Sequence, residues 1–185
     1  MKNNPHISPV NYIKSKARAL PFYECFINDN WKEKGLASIL ISKKQPGGNF
    51  LFGMYLVDIF CLGIKNTFFN FNLSELKYNE MVGKIKEGAD NMIPFNIVTA
   101  HNIIYGAVDY AEELGFFPHK DFKITEFILD PDLINDEIDT IEFGFNDKPY
   151  FIAGPNDNIN LILATLDRNV GKNNYTFIVS DSNVF

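Results

Sequence analysis

The chain has 185 residues, of which 46% are apolar and 22% are charged, and its net charge at pH 7 is −6. This length and composition fit one globular domain that buries a core of its own, which excludes wholesale disorder and removes any need for disulfide bonds or a structural metal. The acidic balance argues against a general nucleic-acid binder, because phosphate contacts require a positive field.

The first residues are polar and include two prolines. This composition predicts a flexible leader over residues 1–11 and a single domain over residues 12–185. Residues 12–20 predict a short basic helix, which Pro21 ends because proline lacks the N–H that a helix needs.

No segment of the chain has the pattern of a membrane helix or a signal peptide. The longest apolar stretch, residues 50–64, is interrupted by Gly53, Asp58 and Gly63. A stretch this short and polar does not span a bilayer. We therefore expect a cytoplasmic protein that does not bind a membrane.

Three runs rich in β-forming residues follow the basic helix. They predict an antiparallel β-meander with strands at residues 22–27, 36–42 and 50–60. The connection Pro46-Gly47-Gly48-Asn49 is typical of a hairpin, because glycine reaches positive φ without penalty. The apolar residues of the third strand do not alternate with polar ones, which indicates that both of its faces are covered.

The middle of the chain shows helical spacing. A first helix is expected over residues 73–86. The strongest element spans residues 96–114, where apolar side chains recur on one face, Asn96 can cap the start and Gly115 can close the end. A short helix is expected over residues 122–129.

The last third of the chain mixes strands and one helix. We expect an acidic loop at 130–139, a β-hairpin of residues 140–145 with 149–153, a helix at 158–167 and a strand at 175–179. The whole order predicts an α+β fold: an antiparallel N-terminal β-meander, central helices, and a C-terminal hairpin, helix and strand.

Three side chains are candidates for acid–base chemistry. Asp58 lies in an apolar strand, where an unpaired carboxylate is costly to bury. It is therefore a catalytic or metal-binding group, or a structural one that accepts backbone N–H groups or pairs with Lys65. His101 lies near the apolar face of the long helix, and His119 lies in a loop beside Asp121, where each is either functional or held by structural hydrogen bonds.

The two cysteines, Cys25 and Cys61, both lie in apolar runs. Buried free thiols are expected, since nothing else suggests export. Cys61 would act as a nucleophile only with a base nearby and a lowered pKa. The chain lacks the ligand spacing of zinc and calcium sites and the loops that hold phosphates, so we expect no metal and no cofactor.

Charge is divided unevenly along the chain. Residues 1–71 contain nine Lys or Arg and four Asp or Glu, and the remainder contains eight and nineteen. The two parts either complement each other across the fold, or the basic part contacts a partner. The candidate binding residues of that part are Lys14, Lys16, Arg18, Lys43 and Lys44.

Two segments carry a resemblance. Residues 53–65 read GxYLVDxFCLGxK, and residues 100–122 contain AHNIIYGAV and LGFxPHKDF. Both resemble an uncharacterised family of bacterial proteins. The resemblance implies one bacterial domain; because that family has no established activity, it supplies no catalytic residues.

No motif in the chain specifies a reaction. The first hypothesis is a non-catalytic binding or accessory module for a protein or nucleic-acid partner, because phenylalanine is abundant, with 18 residues. The rival is a hydrolase or nuclease that uses Asp58 with His101 or His119, whose side chains would have to meet within about 3 Å or through one water. A third hypothesis is small-molecule binding in a pocket lined by phenylalanine.

Overall fold

A computed structural model describes residues 7–88, 91–134 and 141–179. The fold is α+β. Five antiparallel strands form the large sheet in the spatial order β4-β3-β2-β1-β5. These strands are β1 Phe22–Asn28, β2 Leu36–Lys44, β3 Phe50–Asp58, β4 Gly63–Leu73 and β5 Met92–Pro94.

The helices and a second, two-stranded sheet complete the described part of the chain. The helices are α1 Pro9–Lys16, α2 Trp31–Lys34, α3 Glu75–Gly88, α4 Ile97–Glu113, α5 Phe122–Thr125 and α6 Ile159–Asn169. The second sheet pairs β6 Tyr150–Ile152 with β7 Thr176–Ile178 in parallel. None of the helices in the described ranges is long and apolar enough to cross a membrane.

The N-terminal meander is confirmed, and it has one strand more than expected. Strand β3 ends at Asp58, and a tight turn leads into β4, which the sequence analysis does not predict. The β pattern of this segment is weakened by three asparagines, Asn66, Asn70 and Asn72, because asparagine is disfavoured in strands. Helix α1 begins at Pro9, capped by Ser8, three positions before the expected helix start.

Both faces of β3 are covered, as expected. Phe50 and Phe52 pack on one face in a cluster that includes Tyr78 of α3. Tyr55 and Val57 point to the other face and join the cluster formed with α4. The sheet therefore lies between two helical layers.

Helix α4 has the start and end that its sequence predicts. The Asn96 side chain accepts hydrogen bonds from the N–H groups of Val98 and Thr99 at 2.9 and 3.0 Å. Gly115 adopts φ +90° just after the helix. The expected helix at 122–129 is α5, which continues as a 3₁₀ turn over Glu126–Ile128.

The predicted C-terminal hairpin is wrong. Phe145 and Lys148 form a single bridge around a turn, but β6 pairs with β7. The N–H of Gly144 donates to the carbonyl of Ile59, so the backbone of this segment bonds the β3–β4 turn and not β6. Residues 135–140, which include half of the acidic loop expected at 130–139, lie outside the described residues.

Candidate functional site

Asp58 holds the β3–β4 turn. Its Oδ1 accepts hydrogen bonds from the backbone N–H groups of Phe60 and Cys61, both at 2.9 Å. Burial raises the pKa of Asp58 to about 6, although the nearby Lys65 and the backbone N–H groups oppose the rise. These contacts give the carboxylate the backbone-capping role that the sequence analysis raised as one alternative.

The turn that Asp58 caps joins three parts of the chain. The N–H of Ile59 donates to the carbonyl of Gly35 at 2.9 Å, and the carbonyl of Ile59 accepts from Gly144 at the same distance. The carbonyl of Phe60 accepts from the N–H of Tyr150 at 3.0 Å. The conformation of residues 58–62 therefore decides where the segment around Gly144 and Tyr150 lies.

Lys65 forms its ion pair with Asp157 and not with Asp58. The Lys65 Nζ lies 2.6 Å from Asp157 Oδ2, and both side chains are largely buried. Asp157 Oδ2 also accepts the N–H of Gly154 at 2.8 Å. This pair fastens the loop before α6 to strand β4.

Both ring nitrogens of His101 are engaged. Nδ1 lies 2.7 Å from the carbonyl of Ile97, and Nε2 accepts the N–H of Asp130 at 2.9 Å. This pattern fixes the neutral ring with its proton on Nδ1, and burial lowers the pKa of His101. His101 thereby ties the segment after α5 to helix α4.

His119 lies in the loop before α5, partly exposed. Its backbone N–H donates to the carbonyl of Ile64 at 2.9 Å. Its Nδ1 accepts a long hydrogen bond of 3.4 Å from the N–H of Asp121, whose carboxylate lies 3.8 Å away. The sequence-predicted partnership of these two neighbours is present, at a distance that makes a weak contact.

The three acid–base candidates each bond their own neighbours. Within residues 7–88, 91–134 and 141–179, no hydrogen bond or ion pair joins Asp58 to His101 or His119. The same ranges contain no group of three His, Cys, Asp or Glu side chains that could hold a metal ion.

The two thiols are free and buried. Burial raises the pKa of Cys25 to about 12. Burial also raises the pKa of Cys61, and the carboxylate of Asp58 adds to the rise. A thiolate is the nucleophilic form of cysteine, so these surroundings favour the inert thiol at both positions.

The five basic candidates do not form one free surface. Lys43 is buried, its Nζ donates to the carbonyl of Arg18 at 2.7 Å, and burial lowers its pKa to about 8. The Nε of Arg18 donates to the carbonyl of Leu129. The charged groups of Arg18 and Lys14 both lie over the ring of Phe127.

The remaining two basic candidates are exposed, as Lys14 and Arg18 are. Lys44 lies with its ammonium 5.7 Å from the centre of the Phe50 ring. Lys16 lies at the end of α1.

A cavity of about 800 Å³ opens where the large sheet meets α2, α4 and the segment before β6. We call it the Trp31 cavity. Four separate parts of the chain line it: Asp29, Trp31, Lys32, Glu33, Ile59, Phe60, Pro94, Phe95, Asn96, Thr99, Ile141, Glu142, Gly144 and Phe145.

Aromatic rings form much of the wall of the Trp31 cavity. Trp31 meets Phe95 edge to face, with ring centres 6.2 Å apart. Phe60 contacts Phe145 at 5.6 Å, and Tyr150 lies behind both rings. Phe145 is 47% exposed at the mouth, whereas Trp31 and Phe60 are almost covered.

Gly35 makes room for this wall. It adopts φ +65°, a conformation that favours glycine, and the Phe60 ring lies where a Cβ would stand. Its carbonyl accepts the N–H of Ile59, the first residue of the Asp58 turn. The residue that interrupts the apolar strand, Asp58, thus positions one ring of the cavity.

The mouth of the Trp31 cavity carries more negative than positive charge. Asp29, Glu33 and Glu142 are exposed carboxylates, and among the described residues Lys32 is the single basic side chain of the lining. The ammonium of Lys32 lies 5.3 Å from the centre of the Trp31 ring. Asn91 donates to Asp29 Oδ2 at 2.6 Å and holds that carboxylate in place.

Sequence reasoning did not find the Trp31 cavity. Its lining residues are ordinary hydrophobic and acidic side chains, and they come from segments more than a hundred positions apart. The one available signal is the cluster of Asp29, Trp31 and Glu33, which places the only tryptophan of the chain between two carboxylates.

Comparisons with models of protein families, with curated proteins and with solved structures found no match for this chain. The resemblance of residues 53–65 and 100–122 to an uncharacterised bacterial family therefore stays a prediction.

Proposed function

We propose that the protein is a non-catalytic binding module for a protein partner, and that the Trp31 cavity is its binding site. The observation that carries the proposal is the cavity itself, which combines about 800 Å³ of space, aromatic walls and a charged mouth. Pockets that combine apolar rings with a few polar groups are the usual form of binding sites.

The surroundings of Asp58 and His101 support binding over catalysis. A general base needs a lone pair that can reach a substrate. The lone pair of His101 Nε2 accepts a backbone N–H, and the Asp58 Oδ1 accepts two. Groups engaged in this way serve the fold.

The exposed ring of Phe145 supports a macromolecular partner. Large apolar side chains at the mouth of a pocket are typical of residues that become buried on binding, and aromatic residues are enriched at interface centres. A partner segment that enters the cavity would cover Phe145 and approach Glu33 and Glu142 at the mouth.

Co-purification with the wild-type chain and with Phe145→Ser tests the proposal. We expect the wild-type chain to retain a partner from its native cells, and the purified partner to bind it again and to change the fluorescence of Trp31. Phe145→Ser should weaken that binding by about tenfold or more, because interface aromatic residues contribute about 2 kcal/mol or more.

Phe117→Ser is the matched control, since Phe117 is exposed but does not line the cavity. It should bind the partner as the wild type does. A chain that always elutes alone, or a partner that binds both variants equally well, contradicts the proposal.

A further inference from the structure

We infer that the Trp31 cavity receives a basic side chain, the guanidinium of arginine or the ammonium of lysine, from an exposed segment of the partner. This inference rests on the proposed binding function and names the chemistry of the group that enters the site.

The aromatic wall of the Trp31 cavity favours a cation. The face of an aromatic ring carries negative electrostatic potential, and tryptophan attracts cations most strongly. Lys32 already places an ammonium 5.3 Å from the centre of the Trp31 ring. A cation of the same chain thus occupies the position over this ring that a cation of the partner would take.

The charge at the mouth of the cavity also favours a cation. The described side chains that line the cavity include three carboxylates, of Asp29, Glu33 and Glu142, and one ammonium, of Lys32, so their net charge is negative. Within the described residues, Glu33 and Glu142 take part in no ion pair. Carboxylates placed beside ring faces complement an organic cation and repel an anion.

The N-terminus of α4 borders the cavity at Asn96 and Thr99. A free helix N-terminus would favour an anionic ligand. Here the Asn96 side chain accepts from the N–H groups of Val98 and Thr99. These two donors are therefore bonded within the chain and are not free to bind an anion.

The exposed side chains at the mouth indicate where the cation comes from. The three carboxylates and Phe145 are exposed at the mouth and not deep in the cavity. A peptide segment that extends across the mouth contacts these exposed side chains together and places one long side chain inside, whereas a small free amine reaches few of them. We therefore commit to a segment of a protein.

The test is a titration of Trp31 fluorescence with defined peptides. The probe is a short glycine- and serine-rich peptide with a central arginine, and its matched control carries citrulline, the neutral isostere of arginine. We expect the arginine peptide to bind about tenfold more tightly than the citrulline peptide, since a desolvated cation–π contact with adjacent carboxylates contributes on the order of 1–2 kcal/mol.

Charge variants at the mouth give changes of opposite sign. Glu33→Gln and Glu142→Gln should each weaken binding of the arginine peptide about threefold, and Lys32→Gln should strengthen it by removing the competing cation. Glu75→Gln and Lys77→Gln on α3 are the matched controls. They should leave the affinity unchanged, since both residues are exposed outside the cavity.

Three results would overturn the inference. Equal binding of the arginine and citrulline peptides refutes the role of charge but leaves the cavity as a binding site. Arginine amide that binds as tightly as the peptide shows that the occupant is a free small cation. A purified partner that needs Phe145 but binds regardless of its own basic residues rejects the cationic side chain and retains the proposed function.

Discussion

At the scale of single residues, the polar groups buried in apolar elements hold backbone turns. Asp58 and His101 each stand where the sequence leaves a functional and a structural interpretation open. The structural contacts satisfy both: Asp58 accepts two N–H groups, and His101 uses both ring nitrogens. Because burial disfavours the charged form of both side chains, each residue predicts a distinct dependence of stability on pH.

Asp58→Asn should reduce the dependence of stability on pH. The folded pKa of Asp58 is about 6 and the unfolded value is about 3.9, so the protonated carboxyl stabilises the folded state. That contribution is complete below about pH 3.9 and is lost as the pH rises through 6, a difference of about 2–3 kcal/mol. Urea unfolding of both proteins between pH 4 and 8 measures it.

Asparagine keeps an oxygen acceptor for the two N–H groups, so Asp58→Asn should be at least as stable as the wild type at pH 8. Asp58→Ala should lose about 2–4 kcal/mol, because it leaves two buried N–H groups without a partner. Parallel pH profiles for the wild type and Asp58→Asn would contradict this account of the carboxylate.

His101→Ala should lower the free energy of unfolding by about 2–3 kcal/mol at pH 8, where the neutral ring accepts the N–H of Asp130. The folded pKa of His101 is lowered, so the stability that the ring contributes is present above its unfolded pKa of about 6.5. It is lost as the pH falls through the folded pKa. Chemical denaturation of the two proteins at pH 8 and pH 5 should show a smaller difference at pH 5.

The hydrolase or nuclease hypothesis stays a prediction with its own test. The substrates are single-stranded DNA, RNA and a chromogenic ester. We expect the wild type to hydrolyse none of them faster than the variants Asp58→Asn and His119→Ala do. Turnover by the wild type that either substitution abolishes, in a variant that remains folded, would establish the enzymatic alternative.

At the scale of elements, local patterns are predictable and long-range pairings are not. The meander, the Asn96 cap and the end of α4 at Gly115 follow from local sequence. Strand β5 is not predicted from the sequence because it is only three residues long. The pairing of β6 with β7 is not predicted either, because the parallel partner of β6 lies beyond α6. The turn residues at 146–148 instead predict a hairpin.

The contact between β4 and α4 depends on Gly63. It adopts φ +66°, and a Cβ there would lie 2.9 Å from the carbonyl oxygen of Ala107. Gly63→Ala should lower the free energy of unfolding by about 2–4 kcal/mol, since it combines backbone strain with overpacking.

Gly47→Ala is the matched control, because Gly47 has φ +92° and no neighbour near its Cβ position. It should lose only about 1 kcal/mol from backbone strain. Thermal denaturation that shows equal losses in the two variants would remove the close approach of β4 to α4 as the cause.

At the scale of the whole molecule, the basic residues of the N-terminal part do not all face the solvent. Lys43 is buried, and Arg18 is bonded to the chain after α5. The Trp31 cavity, in contrast, arises only when four distant segments meet. Composition therefore indicates aromatic abundance without revealing where the rings assemble.

The double variant Lys14→Glu, Lys16→Glu tests the nucleic-acid alternative. Both lysines lie exposed on α1, and a nucleic-acid surface would lose affinity strongly on this reversal of charge. We expect wild type and variant alike to show no retardation of DNA or RNA in gel shifts at physiological salt. Retardation of the wild type that the variant loses would favour a nucleic-acid partner.

Hydrogen–deuterium exchange on the complex with the co-purified partner tests the central claim most directly. Binding at the Trp31 cavity predicts slower exchange in residues 29–33, 59–60, 94–99 and 141–145, with α1 unchanged. Protection confined to α1 and its basic side chains, with exchange around Trp31 as fast as in the free protein, would contradict the account.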